Sequence, residues 1–506
     1  MGDPENGPTP VVERRAFVPK EPYPLIIDGR AVETEACFEA IEPSTGRRWA
    51  EVAQAGAAEV DAAVQAATRA FASWRYSSPV ERQAVLGAVA DLIEREAGSW
   101  DLLLPTENGR PVREAGMFDV ATAANIFRYF AGLVRGLGGE QIATGDRDSH
   151  VYTVREPLGV IAALTPWNSP LITLANKLAP ALAAGNTVVV KPSELASPSA
   201  VTLVRALGDL LPPGVVNVVT GYGPEVGAAL VAHPGIAKVT FTGGTETGRR
   251  VLAATAANLT PALMELGGKS AFLICQDADL DAAVTDALTG AFAANGEACF
   301  ASSRLLVHED IAEEFLERLT GVVSRIQVGD ALDRGTQIGP VISGAHRDRI
   351  LGLVRRGETE GAEVVAGGDA VRLDGELSGG SYLAPTVLLD PAGRSTVSSE
   401  ELFGPVVVVQ TWREEAEAVA RANGGRYGLA AGVWTRDLGR AHRVARDLDA
   451  GIVWVNTWFE TPMGQPLGGF KDSGFGRETS AETLREYSGT KVVNARLTTE
   501  RMSLFG

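Results

Sequence analysis

From Ala58 to Trp74 the apolar residues Val60, Val64, Ala67 and Phe71 recur every three or four positions, the spacing that gives a helix one apolar face. A second helix is expected from Pro79, because proline suits the first turn of a helix. Further helical patterns cover 99–107 and 114–132. Ahead of them, PLIIDGRAV reads as a strand, an Asp28-Gly29 turn and a second strand. From Gly159 the pattern changes. GVIAALTP, NTVVVKP, VNVVTG and AKVTFTGG are short β-rich runs closed by proline or glycine. Between them lie the helical stretches PLITLANKLAPALAAG, SPSAVTLVRALGDL and PEVGAALVAH. This alternation predicts a parallel sheet with crossover helices, whose ligands bind at the carboxyl ends of the strands. Asn168, Lys191, Gly221–Gly227 and Gly243-Gly244 all fall where such strands stop.

A second α/β set follows Gly267. Its candidate strands are SAFLI, SRLLVH, GAEVVAGG, YLAPTVLL, VVVVQTW, LAAGVWT and GIVWVN, with helical patterns such as IAEEFLERLTGVVSRI and AHRDRILGLVRRGET between them. REYSGTKVVNARL near the end reads as one more strand. Residues 1–22, with several prolines and charges, are expected to form a mobile arm. No fixed-period repeat or low-complexity linker divides the chain.

Composition narrows the class. The 506 residues allow two or three domains with a large core, and 45% hydrophobic with 22% charged is ordinary for a globular protein. The formal charge of −17 disfavours nucleic acid and anionic membrane as partners. Cys37, Cys275 and Cys299 are too few and too far apart for a disulfide framework or a zinc site, so no metal is expected. The N-terminal stretch has no apolar core for a signal peptide and no acylation motif, and no apolar run is long enough to span a bilayer. A cytoplasmic location is the resulting expectation.

Two residues then attract attention. Cys299 follows the small residues Ala293, Ala294, Asn295 and Gly296, and cysteine is a strong nucleophile as thiolate. Glu265 stands beside Gly267-Gly268, and a carboxylate can deprotonate water. Together they suit an enzyme that forms a thioester and hydrolyses it. Cys37 and Cys275 read as inert.

MELGGKSA followed by NGEACFASSR resembles the NAD(P)-dependent aldehyde dehydrogenase superfamily of the hydrolytic, non-CoA-acylating type. TPWNSP, KPSE, FTGGTETG, ELFGP and PLGGFKDSGFGRE fall in that family's order, so the likeness covers roughly residues 20–500. The resemblance implies an α/β, aldehyde-dehydrogenase-like fold. Two parallel α/β three-layer domains, a Rossmann-like cofactor domain and a catalytic domain, would carry a small β oligomerisation element. The expected boundaries are 1–138 and 160–266 for NAD binding, 267–478 for catalysis, and 139–159 with 479–506 for oligomerisation into a homodimer or homotetramer.

The same resemblance assigns Cys299 as nucleophile, Glu265 as general base, and the Cys299 N–H with the Asn168 amide as the oxyanion donors. It places NAD against Thr165, Pro166, Trp167, Lys191, Ser193, Glu194, Gly223, Gly227, Phe241, Thr242, Gly243, Gly244, Thr247, Leu266, Glu401 and Phe403. Glu194 would repel a 2′-phosphate, which favours NAD over NADP. GYGPEVG is not the dinucleotide fingerprint, and equally reads as a strand-to-helix turn. Gly244 departs from the serine usual in the family, leaving a backbone contact to serve.

Phe300 also departs from the family, where a small or aliphatic residue usually follows the nucleophile. Thr122, on a helix the family places at the aldehyde entrance, and Ser169, Thr173, Phe300, Trp458, Phe459 and Thr461 are the candidate substrate contacts. Their polarity suggests a small or oxygenated aldehyde. Two rival readings remain: a semialdehyde dehydrogenase passing its acyl group to CoA, and a non-catalytic NAD-binding relative. Glu265 weighs against the first, and the joint presence of Cys299, Glu265 and Asn168 against the second.

Overall fold

The computed structural model describes residue 19 and residues 21–505. The expected mobile arm therefore lies almost entirely outside the described residues.

Two sheets organise the chain. The first has eight strands, and its middle is parallel: Val216–Val218, Thr187–Pro192, Val160–Thr165, Ile236–Thr242 and Ala262–Glu265 lie side by side in that order. Its edges depart from the all-parallel expectation. Leu25–Ile27 and Arg30–Val32 form the expected hairpin about Asp28 (φ 57°) and Gly29 (φ 73°) and extend one edge antiparallel. Gly474–Phe475 pairs antiparallel with Ala262–Glu265 at the other edge. This strand belongs, by sequence, to the second α/β set.

Burial explains why the central strands read as continuous apolar runs. In Val160–Thr165, Ile161 and Ala163 enter one core cluster while Val160, Ala162 and Leu164 enter another. Val188 and Val190 likewise oppose Val189. Side chains alternate across a strand, so a sheet covered on both faces needs apolar residues at every position. Each fully buried Val or Ile contributes about 1.5–3 kcal/mol. Helices Ala57–Trp74, Pro79–Arg95, Ala121–Leu133, Pro170–Ala183 and Pro198–Leu207 supply the covering layers. Ser78 caps Pro79–Arg95 by accepting the Glu81 N–H at 3.2 Å, with proline in the first turn as expected. The helix anticipated at 114–132 is interrupted by a wider π-turn at Ala115–Val120.

The second sheet has seven strands, in the order Glu363–Ala366, Thr386–Leu389, Val406–Trp412, Arg304–His308, Ala271–Ile274, Ala430–Trp434 and Ile452–Val455. All pairs are parallel except the first. Cys275 is buried in one of its cores and Cys37 sits exposed on a surface hairpin, Cys37–Glu42 with Arg47–Ala53, that the sequence pattern did not reveal. A third sheet joins Gln141–Ile142 and Ser149–Pro157 to the C-terminal strand Ser488–Arg496, whose register runs from Ser488 opposite Pro157 to Arg496 opposite Ser149. No described helix is long and apolar enough to cross a membrane.

Candidate active site

A cavity of about 810 Å³ opens where the carboxyl ends of the first sheet meet the second α/β set. Asn168, Glu265 and Cys299 all line it. Each arrives by a different route. Asn168 follows the strand Val160–Thr165 and precedes Pro170–Ala183, Glu265 is the last residue of its strand, and Cys299 lies in the loop between the helix Leu280–Phe292 and the strand Arg304–His308.

That loop accounts for the small residues ahead of the cysteine. Ala294 (φ 54°), Asn295 (φ 58°) and Gly296 (φ 69°) are three consecutive residues in left-handed backbone. Non-glycine residues there cost on the order of 1–3 kcal/mol each and persist only when held from outside. Asn295 Nδ2 donates to the Gly109 and Pro340 carbonyls at 3.0 Å, and Asn295 Oδ1 accepts the Gly339 N–H at 2.7 Å. Glu114 accepts the Ala294 N–H at 2.8 Å, and Glu297 accepts the Ile342 N–H at 3.0 Å. A Cβ on Gly296 would stand 2.2 Å from the Gly404 oxygen, so only glycine fits.

Gly268 has the same character. A Cβ there would lie 2.4 Å from the Cys299 carbonyl oxygen, while its N–H donates to Glu401 Oε1 at 2.8 Å. We expect Gly268→Ala to displace the nucleophile loop and lower kcat by about 10²-fold, since misplacement of reacting groups by an ångström carries that cost. Steady-state kinetics beside a thermal melt checks it, and a fall in Tm with unchanged kcat would contradict the placement.

The electrostatics favour proton transfer over a standing ion pair. Burial pushes the Cys299 thiol well above its ordinary range, and the Glu265 and Glu401 charges push it further. The backbone N–H groups of Phe300 and Cys299 oppose this, so they face the sulfur. Glu265 is only 3% exposed and neither carboxylate oxygen has a hydrogen-bond partner. Burial, then the Glu478 carboxylate, raises its pKa well above the usual range, against Lys177 and Arg477. Lys177 is fully buried and donates to Glu478 at 3.0 Å, Thr242 at 2.8 Å and Thr240 at 3.2 Å. A buried, unpaired carboxyl in the cavity that the Cys299 thiol lines is expensive for folding, and such sites are characteristically functional. Asn168 Nδ2 donates to the Glu297 carbonyl at 2.8 Å, which commits one of its two amide protons.

Of the residues assigned to NAD, the cavity gathers Pro166, Trp167, Thr242, Gly243, Gly244, Thr247, Leu266, Glu401 and Phe403. Thr165, Lys191, Ser193, Glu194, Gly223, Gly227 and Phe241 do not line it. They lie along the same strand ends: Lys191 pairs with Glu194 at 3.4 Å, and Ser193 N–H donates to the Thr165 carbonyl at 2.9 Å. Gly227 faces Leu164 and Lys191, within a π-turn at Gly223–Gly227, and the Phe241 ring lies against Gly243. The helix Thr245–Thr255 starts at Gly244 with no side-chain cap, and a Cβ on Gly244 would meet nothing within 4 Å. Gly244, Thr245, Glu246 and Thr247 all line the cavity, so this helix N-terminus borders it, as an anion-binding terminus must.

The substrate candidates Thr122, Ser169, Thr173, Phe300, Trp458, Phe459 and Thr461 all line the cavity. The Phe300 ring packs on Phe459 at 5.1 Å and Trp454 at 6.0 Å, and Trp458 Nε1 donates to the Phe300 carbonyl at 3.2 Å. The sequence reading missed Asn176, Arg110, His346 and Arg349, which also line it. His346 Nε2 bonds the carbonyl of Phe403, itself in left-handed backbone (φ 59°), at 2.7 Å, and the Phe403 ring meets Trp167 edge-on at 5.3 Å. Nothing distinguishes these four positions in the linear pattern, where each sits in an ordinary helical or turn context.

The aldehyde dehydrogenase family model matches residues 30–493. A Burkholderia cenocepacia protein assigned as an aldehyde dehydrogenase is 41% identical, aligning over 95% of this chain and 99% of that one with a TM-score of 0.93. PnpE from Pseudomonas sp. WBC-3 is 39% identical over 96% of this chain and 99% of its own, also at 0.93. Betaine aldehyde dehydrogenase from Staphylococcus aureus, solved in complex with NAD+, is 35% identical over 97% of this chain and 99% of its own, at 0.94. The chain belongs to the aldehyde dehydrogenase family.

Proposed function

We propose that the cavity oxidises an aldehyde to a carboxylic acid through a thioester on Cys299, with NAD as hydride acceptor. The observation that carries this reading is the meeting of a buried, unpartnered Glu265 carboxylate with the Cys299 thiol in one cavity beside an open helix N-terminus.

The residues fit NAD. Lys191 and Glu194 would hold the adenosine ribose, the N–H groups at Gly244 and Thr245 the pyrophosphate, and Glu401 the nicotinamide ribose. Gly267 leaves room for the Glu401 carboxylate, since a Cβ there would lie 2.3 Å from its Oε2. PnpE and the S. aureus betaine aldehyde dehydrogenase were both solved with this dinucleotide. When bound, NAD supplies the acceptor for the hydride leaving the aldehyde carbon.

Everything else falls to the protein. Glu265 takes the thiol proton, and the thiolate attacks the aldehyde carbon to give a thiohemiacetal. The developing oxyanion receives the Cys299 N–H and the free proton of the Asn168 amide. Loss of hydride leaves the thioester. Glu265 releases the thiol proton to solvent and, as carboxylate again, deprotonates a water that attacks the thioester carbon; the acid departs and the sulfur regains the water's proton. CoA is not required, because the carboxylate activates water in its place.

The test is NADH absorbance with a panel of short aldehydes and NAD or NADP, without CoA, beside acid product analysis. The proposal expects stoichiometric acid and a higher kcat/KM with NAD. Product formation that depends on CoA contradicts it. The three-stranded sheet of Ser488–Arg496, Ser149–Pro157 and Gln141–Ile142 is the proposed oligomerisation element, and its exposed Val492 and Ile142 support an interface there.

A further inference from the structure

The helix Pro170–Ala183 turns one stripe of residues toward the cavity: Ser169 at its N-cap, then Ile172, Thr173 and Asn176. Asn176 is 5% exposed and its Oδ1 has no hydrogen-bond partner, so a buried amide borders the cavity with one end unsatisfied. A buried polar group without a protein partner calls for one from water or ligand, and this one borders the cavity where a substrate would lie. The neighbouring hydroxyls are differently committed. Thr173 Oγ1 donates to the Ser169 carbonyl at 2.8 Å and retains only acceptor capacity, whereas Ser169 Oγ accepts from Arg110 Nη2 at 3.1 Å and keeps its proton. The stripe therefore offers donors and acceptors without net charge.

The cation on this side is already paired. Arg110 forms a buried ion pair with Asp119, and the adjoining Glu114 accepts the Ala294 N–H at 2.8 Å. No cation among the described lining residues on this side is free for a substrate carboxylate; Arg349 and Arg426 belong to the Glu401 side. Phe300 and Phe459 line the same cavity with apolar surface, and Ile172 adds an apolar position within the stripe. At 1.5 Å per residue, Thr173 and Asn176 stand about 6 Å and 10.5 Å along the axis from Ser169, which adjoins the Asn168 oxyanion donor.

We propose that the substrate is a neutral aldehyde carrying a hydroxyl group several carbons from the reacting carbonyl, bound by the Asn176 amide. A hydroxyl both donates and accepts, so it satisfies Asn176 Oδ1 while an apolar chain cannot. Rotation about the last side-chain bond, soft for asparagine, brings either amide end to it. This inference rests on the reaction proposed above.

The experiment compares kcat/KM for 6-hydroxyhexanal, heptanal and 6-oxohexanoate, with propanal as a short reference too small to reach Asn176. Heptanal replaces the hydroxyl by a methyl at equal size, and 6-oxohexanoate replaces the terminal CH2OH by a carboxylate. The wild type should prefer 6-hydroxyhexanal over heptanal by about 10-fold or more, because a site built for a hydroxyl rejects the analogue lacking it. Asn176→Leu should reduce that ratio to near unity, while Asn176→Asp, which still accepts a hydrogen bond, should retain it. Heptanal or 6-oxohexanoate as the best wild-type substrate would overturn the inference, as would a ratio unchanged in Asn176→Leu. No NADH from any aldehyde, propanal included, would instead contradict the reaction itself.

Discussion

Replacement of Cys299 by alanine is expected to lower kcat for aldehyde oxidation by at least about 10³-fold, with NAD binding retained. Cys299 is the cysteine among the described lining residues, and removing its sulfur leaves no atom there on which a thioester can form. Alanine fits the space without clash and keeps the left-handed turn at Ala294, Asn295 and Gly296, which is held by Asn295 and Glu114 rather than by the cysteine. The loss should therefore appear in kcat and not in Tm. Alkylation of the wild type should be slow without NAD and a base-active Glu265, because burial and two neighbouring carboxylates keep the thiol protonated. Residual turnover above a few per cent in the alanine variant would transfer the chemistry to another group.

Glu265→Gln should be less severe at the start of the reaction and more revealing. Gln keeps the volume, so the strand end and the N–H contact from Gly243 to the residue's backbone carbonyl (3.0 Å) persist. What disappears is the proposed base. Steady-state turnover should fall by about 10²–10⁴-fold, the usual worth of a positioned general base. Some acylation should survive, since hydroxide in solution can still ionise a fraction of the thiol, so thioester accumulates where the wild type hydrolyses it. The pH dependence has a definite sign. Burial and Glu478 hold the Glu265 pKa well above the ordinary carboxylate range, and only its deprotonated form accepts a proton. Wild-type kcat should rise with pH as Glu265 ionises, and that limb should be missing in the variant.

The fold was legible because its elements differ in period and length. Continuous apolar runs such as those around Val160–Thr165 and Thr187–Pro192, punctuated by glycine or proline, have few alternatives to buried parallel strands. The hairpin at Asp28-Gly29 declared itself through residues that tolerate positive φ. The antiparallel pairing of Gly474–Phe475 with Ala262–Glu265 was not legible, since a two-residue strand carries no periodicity and its partner is far away in sequence. The chemical residues were found through motif resemblance, and geometry then explained the motifs: Gly268 is needed because of the Cys299 carbonyl, and Gly296 because of Gly404. Asn176 and Arg349 escaped because helix-facing positions are assigned only once the helix has something to face.

Intact mass and peptide mapping of Glu265→Gln, quenched after mixing with NAD and propanal, would test the covalent route most directly. The proposed mechanism predicts a propionyl adduct on the Cys299 peptide, formed with close to one NADH per subunit and decaying slowly. No adduct together with near wild-type acid production would show that neither Cys299 acylation nor Glu265-assisted hydrolysis carries the reaction.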